Sequence, residues 1–257
     1  MLELSGVCKT FGRGGERFLA LDGISLQVRE GEFVSIVGTS GCGKTTLLNI
    51  IAGLMRPDGG SVSIRGKPVR GVSRSVGYTF QQATLLPWRT VLSNVELGLE
   101  LRGVAPATRR ETAMRLLEQV DLAPFAHAYP HQLSGGMAKR AEIVRILAID
   151  PDLLLMDEPF GALDAQTKIN MQDVLLHVLQ TMRKTVIFIT HDLEEAVVLS
   201  DRVITLAARP GRVKHEHVIG LPRPRDSRAA RLDPRFADFL RLVWDDIEPS
   251  GGAGRAR

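Results

Sequence analysis

Apolar and polar residues alternate at Ile24, Leu26 and Val28 and again at Val62 and Ile64, while Phe33-Val34-Ser35-Ile36-Val37 is almost continuously apolar. The first pattern predicts half-buried strands and the second a strand covered on both faces. With glycines punctuating them, strands are expected to dominate the chain to about Phe80. After Pro87 the apolar spacing becomes helical, at Val91–Leu101, Ala107–Val120 and Gly136–Ile149, with polar or Gly/Pro joints between. This middle third reads as a helical subdomain. From Leu153 the pattern alternates: strand Leu153–Met156, helix Ala165–Arg183, strand Val186–Thr190, a helix from about Asp192, then strand Val203–Leu206. Such alternation predicts parallel α/β organisation. No internal repeat is visible, and low complexity is confined to Ser250–Arg257, an end expected to fray.

Composition agrees with a globular protein: 257 residues, 44% hydrophobic and 24% charged. A chain of this length buries roughly three quarters of its unfolded surface, enough for a core without metal or disulfide staples. The two cysteines, Cys8 and Cys42, have no zinc-type spacing, which points to a reducing compartment. The longest apolar runs are far short of the ~18 residues of a membrane span. The N-terminal Met-Leu-Glu-Leu-Ser carries an acid and no long apolar run, so no secretory signal is expected and the chain is placed in the cytosol unless a partner anchors it. Net charge is +4, with a local basic excess at Arg209, Arg212, Lys214, Arg223, Arg225, Arg228, Arg231 and Arg235. Interspersed acids and the lack of interleaved aromatics make this a solvated basic face rather than a nucleic-acid or lipid surface.

The chemistry begins at Gly38-Thr39-Ser40-Gly41-Cys42-Gly43-Lys44-Thr45, which matches G-x-x-x-x-G-K-[ST] between a predicted strand and helix. Glycines let successive backbone N–H groups turn inward around phosphates, Lys44 neutralises the β/γ oxygens, and the Thr45 hydroxyl is suited to Mg²⁺, with Thr46 beside it. Cys42 is read as a small filler of that loop and not a nucleophile. Leu153-Leu154-Leu155-Met156-Asp157-Glu158 is a strand ending in two acids that alternation sends in different directions. Asp157 is placed for the Mg²⁺ shell, and Glu158 to accept a proton from, or orient, the attacking water. Leu133-Ser134-Gly135-Gly136-Met137 opens a helix carrying Arg140 and Arg145. Its free N–H groups form a second anion site, suited to the γ-phosphate of another molecule's nucleotide.

The ordered set Gly38–Thr45, Gln81, Leu133–Met137, Leu153–Glu158, Ala162-Leu163-Asp164 and His191 resembles the ATP-binding subunits of ABC transporters along essentially the whole chain. The resemblance implies an α/β P-loop NTPase of ABC ATPase type with an N-terminal antiparallel β subdomain and an inserted helical subdomain. Residues 1–257 would be a single ABC ATPase domain: 1–86 and 150–220 the nucleotide-binding core, 87–149 the helical signature subdomain, 221–257 a C-terminal helical tail. It further implies ATP and Mg²⁺ as cofactors. Ser134, Gly135 and Gly136 would be the signature, Gln81 the lid glutamine and a metal ligand beside Thr45 and Asp157, Asp164 part of the D-loop, and His191 the switch histidine acting with Lys44 and Glu158. Phe11, in Lys9-Thr10-Phe11-Gly12, stands where the family stacks an aromatic on adenine, or is a core phenylalanine. Two departures, Met137 for the commoner glutamine and Thr39 for proline or serine, remove no phosphate ligand.

Within the family, Leu85–Val91, Ala208–Val213 and Leu221–Asp226 look like the nitrate, sulfonate and taurine branch of importer ATPases. The segment Leu85–Trp88 would expose apolar side chains as a seat for a permease's coupling helix, unless Trp88 packs in the core. The partners implied are a second copy of the chain, with each ATP between Lys44 of one and Ser134 of the other, an integral membrane permease, and a solute-binding protein acting through it, without nucleic acid. The chain would sit peripherally on the cytoplasmic face of the membrane. Competing readings are an ATPase of another ABC transporter class, a soluble ABC ATPase acting on DNA or ribosomes, and a nucleotide-binding scaffold without turnover.

Overall fold

The computed structural model describes residues 1–13, 16–80, 84–161 and 163–247. In chain order the first elements are β1 (Leu2–Arg13), β2 (Glu16–Val28), β3 (Phe33–Gly38), α1 (Lys44–Ile51), β4 (Gly59–Ile64), β5 (Lys67–Pro68) and β6 (Val76–Thr79). The helices α2 (Val91–Leu101), α3 (Pro106–Glu118) and α4 (Gly135–Leu147) come next, with short 3₁₀ turns at Ala123–Phe125 and Pro130–Gln132 before α4. Then come β7 (Leu153–Asp157), α5 (Ala165–Met182), β8 (Thr185–Ile189), α6 (Leu193–Leu199), β9 (Arg202–Ala207) and β10 (Arg212–Val218). Two helices end the described chain, α7 (Ser227–Leu232) and α8 (Phe236–Ile247). These elements form two compact units: residues 1–72 with the described residues from 187 onward, and residues 73–186.

In the first unit, β2, β1, β4 and β5 form an antiparallel sheet in that order. The pairing of Leu4 with Leu26 and of Leu2 with Ile64 puts the alternating apolar positions on one face, where Leu2, Leu4, Leu26 and Ile64 are buried. Every residue of β3 is buried, as its run of apolar residues predicted, and it pairs in parallel with β9 from Val34↔Arg202 to Gly38↔Leu206. β10 adds antiparallel to β9. This places the last residue of β3 in a sheet, so the loop that follows starts from a fixed point. In the second unit β6 and β7 run parallel, from Val76↔Leu153 to Thr79↔Met156. The helices α2 to α5 belong to this unit, with α4 packed on α2, α3, α5 and β6. β8 carries the chain from the second unit back to the first.

The basic C-terminal segment is mostly the solvated face expected, with Arg209, Arg212, Lys214, Arg223, Arg228 and Arg235 exposed, but Arg225 departs from it. Arg225 is 7% exposed, and its guanidinium donates to the carbonyls of Ser200, Ile219 (3.1 Å) and Leu221 (3.0 Å). Burial, reinforced by the neighbouring Arg223 charge, pushes its pKa down to about 10 although Asp201 pulls the other way. Arg223 donates to Asp201 at 2.7 Å, Arg231 reaches Glu194, and Arg212 pairs with Asp22. These arginines fasten the C-terminal segment to α6, to the turn after it and to β2. Replacing Arg225 with alanine leaves buried carbonyls without donors, each costing about 1–3 kcal/mol. Arg225→Ala is expected to lower unfolding free energy by about 3 kcal/mol in a urea titration; a loss below about 0.5 kcal/mol would remove its structural role.

Candidate active site

The loop predicted to hold phosphates lies wholly in the first unit. Gly43 precedes α1 with φ 95°, ψ 10°, a left-handed conformation that a side chain disfavours. A Cβ there would also meet the Leu21 side chain at 2.6 Å and the Ala20 carbonyl at 3.1 Å. From the other side, Gly211 comes so close that a Cβ on it would lie 2.2 Å from the Cys42 carbonyl oxygen. Gly211 is tied to β2 by its N–H to the Ala20 carbonyl (2.9 Å) and by its own carbonyl to the Asp22 N–H (3.0 Å). The Arg212 guanidinium holds the same Asp22. The loop is thus clamped between β2 and the turn that opens β10.

Lys44 is buried, and its Nζ donates to the carbonyls of Gly38 (2.8 Å) and Thr39 (3.2 Å), with Cys42 Sγ at 3.9 Å. Its charge is therefore held within the loop's own curve. Thr39, Ser40, Gly41 and Thr45 are exposed and Thr46 is half-buried, so a ligand can reach them. The Cys42 side chain is fully buried and its thiol is pushed up by burial, with Lys44 pulling the other way. Its N–H donates to the Thr39 carbonyl at 3.3 Å. The first turn of α1 carries no acid, so the positive end of the helix is not offset locally.

Two more predicted residues fall in this unit. His191 is exposed just beyond β8, held in a short turn where the Thr190 hydroxyl donates to Glu195 (2.7 Å) and accepts from the Asp192 N–H (2.9 Å). Asp192 in turn caps α6. Phe11 is 39% exposed, opposite Phe18 across the β1–β2 pair, and Lys9 Nζ lies 5.8 Å from its ring centre. It is not a core phenylalanine. Gln81 and Ala162 lie outside the described residues.

The second unit carries the acids and the signature. Asp157 ends β7 at 8% exposure, and the Tyr78 phenol on the neighbouring strand β6 hydrogen-bonds to it. Burial, and then the Asp157 charge and hydrogen bond, hold that phenol far above its usual range, so Tyr78 stays a donor. Glu158 follows half-buried, with φ +45°. A non-glycine residue there is strained. Ser134 caps α4, its hydroxyl accepting from the Met137 N–H at 3.3 Å. Gly136 is buried where a Cβ would lie 2.6 Å from the Thr167 methyl of α5. Asp164 caps α5 by accepting from the Thr167 N–H at 3.0 Å, and hydrogen bonds from Thr167 hold its carboxyl below the usual range.

The family model for "ABC transporter" matches residues 21–161, more than half of the chain. The chain belongs to the ABC transporter family. It is 50% identical over 246 residues to an uncharacterised ABC transporter ATP-binding protein of Methanocaldococcus jannaschii, covering 96% of this chain and 92% of that one. It is 47% identical over 237 residues to a taurine import ATP-binding protein, TauB, of Yersinia pestis, covering 89% and 93%. Among solved structures, a dimeric post-hydrolysis state of the ATP-binding cassette MJ0796 bound to ADP and phosphate matches with a TM-score of 0.76 at 36% identity, over 86% of this chain and all of that one. The expected P-loop fold of ABC ATPase type, an antiparallel β subdomain included, agrees with these neighbours, and the chain is an ABC ATPase, the ATP-binding subunit of a transporter.

Several residues that shape this ABC ATPase carry no motif. Trp88 is 72% exposed, and the loop beneath it is held by the fully buried Asn94. That amide donates to the carbonyls of Leu86 (3.1 Å), Arg89 (3.0 Å) and Thr90 (3.0 Å) and accepts from the Leu86 N–H (2.8 Å). On α4, buried Lys139 pairs with fully buried Glu142 at 2.7 Å and donates to the Phe80 carbonyl (3.1 Å). Glu142 also accepts from the Thr84 hydroxyl (2.8 Å), and Arg145 donates to the Thr84 carbonyl (2.6 Å). The signature helix thereby grips the chain on both sides of residues 81–83. Helical periodicity in α4 is the signal that places Lys139 and Glu142 inward, since they recur at three-residue spacing beside Ile143 and Ile146. The Gly211 contact generates a direct test. Gly211→Ala must displace the Cys42 backbone, so it is expected to lower the thermal melt, and ATP affinity of the folded variant, measured with a fluorescent nucleotide below its melt, is expected to fall at least about tenfold. Unchanged affinity would show that the clamp does not shape the loop.

Proposed function

We propose that this chain powers uptake of a small anionic solute, of nitrate, sulfonate or taurine type, through a partner permease served by a solute-binding protein. The observation that carries the importer reading is the 47% identity to a taurine import ATP-binding protein along nearly the full length of both chains. The exposed Trp88 on a loop braced by Asn94 supports it, because a rigid, solvent-facing indole is the residue type that anchors protein interfaces. In this reading the chain sits on the cytoplasmic face of the membrane through its permease; no described helix is long and apolar enough to cross a membrane. Trp88→Ala is expected to leave ATP turnover of the isolated chain unchanged and to abolish solute-stimulated turnover in the reconstituted transporter. Full stimulation in the variant would remove Trp88 from the coupling surface.

The proposed roles follow the chemistry of each residue. Lys44 and the N–H groups of Gly38–Thr46 take the β- and γ-phosphates, Phe11 stacks on adenine, Glu158 orients the attacking water and His191 contacts the γ-phosphate. Hard oxygen donors, the Thr45 hydroxyl and the Asp157 carboxylate with the Gln81 amide, fit Mg²⁺, which when bound neutralises charge on the phosphates. The two units are proposed to work as one ABC ATPase domain, and Gln81 to relay the state of the γ-phosphate to the permease.

The dimeric state of the MJ0796 cassette supports a second proposal, that two copies form the active unit with Ser134, Gly135 and Gly136 of one completing the ATP site of the other. The positive end of α4, capped by the neutral Ser134 hydroxyl and without an acid in its first turn, suits a phosphate. Mixing Lys44→Ala chains with Ser134→Arg chains, each inactive alone, is expected to restore part of the ATP turnover, because one composite site of the mixed dimer then carries neither lesion. Mixed dimers without any turnover would contradict independent sites formed in trans. Since Ser134 also caps α4, at a cost of about 1 kcal/mol when lost, the folded state of Ser134→Arg is checked first by its melt.

A further inference from the structure

Outside the nucleotide residues, β10 carries His215 and His217 two positions apart on one face of an edge strand, and both rings turn to a single carboxylate at the end of α8. His215 Nδ1 lies 2.7 Å from Asp246 Oδ1 and His217 Nε2 lies 2.6 Å from Oδ2. One donor atom from each of the three falls within 4.8 Å of the others. From this geometry we propose that His215, His217 and Asp246 bind a borderline divalent transition cation, Zn²⁺ or a close analogue, that pins α8 to the edge of the β9–β10 pair.

The donor set selects the class of ion. Two imidazoles and a carboxylate without a thiolate suit Zn²⁺ or Co²⁺ and are poor for Mg²⁺ or Ca²⁺, which prefer oxygen. Zinc bonds of about 2.0–2.2 Å in a tetrahedron separate neighbouring donors by about 3.3 Å. The two ring–carboxylate separations, 2.7 and 2.6 Å, are shorter than that, so each ring has to part from the carboxylate by about half an ångström, with all three donor atoms already within 4.8 Å of one another. The Thr205 hydroxyl donates to Asp246 Oδ2 at 3.1 Å, the kind of outer contact that orients a ligating carboxylate. His215 is 58% exposed along its side chain and offers an entry path and a fourth, open position for water. The opposing charge is Lys214, whose Nζ donates to the Asp246 main-chain carbonyl at 2.5 Å and stands 4.0 Å from Oδ1. Its anchor is that carbonyl, so the ammonium keeps its partner when the carboxylate takes a cation.

The test is calorimetric titration of the nucleotide-free full chain with Zn²⁺, repeated with Co²⁺ to read visible d–d absorption of the bound ion. One saturable equivalent is expected, with a raised thermal melt. Asp246→Asn, which keeps the side chain's shape, and His217→Ala are each expected to weaken binding at least about tenfold, whereas His177→Ala, on α5, leaves it unchanged. Absence of a saturable equivalent overturns the proposal, as does binding that survives both Asp246→Asn and His217→Ala. A melt lowered by Asp246→Asn but unmoved by Zn²⁺ would show a hydrogen-bonded latch in place of a metal site and would equally overturn it.

Discussion

Leu21 lies fully buried beneath Gly43, and Gly211 presses on the Cys42 carbonyl from the other side. The remainder of the first unit depends on this contact, because backbone can approach backbone so closely only where side chains are missing. Burying a leucine supplies about 1.5–3 kcal/mol, and the two hydrogen bonds between Gly211 and β2 fix where that leucine sits. The turn after β3 is thus shaped by elements far from it in sequence: β2 before it and the start of β10 well after it. Lys44 can then be buried with its charge satisfied by the Gly38 and Thr39 carbonyls. An ammonium buried without such partners would shift its pKa or the fold would move to expose it.

What could be read from sequence was whatever local chemistry determines. The glycine spacing of the phosphate loop, the almost continuously apolar β3 and the helical span Val91–Leu101 all appear in the structure, because each is written in consecutive residues. β10 was not read as a strand: Arg-Val-Lys-His-Glu-His-Val has little apolar alternation, since an edge strand pairs through backbone and leaves most side chains in water. Arg225 was misread for a different reason. Its acceptors, the carbonyls of Ser200, Ile219 and Leu221, are main-chain groups freed where α6 and β10 end, and no side-chain pattern announces them. Tyr78 and Asn94 were missed likewise, each defined by a partner on another segment.

The same limitation appears in the opposite sense at the motif residues themselves. Sequence reasoning assigned Ser134 and Gly136 to phosphate and Asp164 to the D-loop. The structure gives each a folding task as well: Ser134 and Asp164 cap α4 and α5, and Gly136 makes room for the Thr167 methyl. A capping side chain contributes about 1 kcal/mol, and a helix pair that excludes a Cβ tolerates little but glycine. The identity of these residues is therefore set twice over, by the helix terminus and by what the terminus binds.

This overlap has a physical reason. A helix N-terminus exposes N–H groups that must be satisfied, and serine or aspartate satisfies one while leaving others free to meet an anion. The residue that makes the terminus stable thus also leaves it receptive. Glu158 shows the converse arrangement, a catalytic candidate whose φ of +45° costs stability on the order of 1–3 kcal/mol. The buried β7 before it holds that strain in place, since all five of its residues are buried and pairing with β6 leaves the strand no room to relax. Stable termini and a strained strand end are two ways of fixing a polar group at a point: the first makes use of an unmet hydrogen-bonding need, the second overrides a backbone preference with packing. In both, the position of a polar group is decided by its packing and hydrogen-bonding neighbours, which is why residues such as Tyr78 and Gly211 belong to the account of the site as fully as Lys44 does.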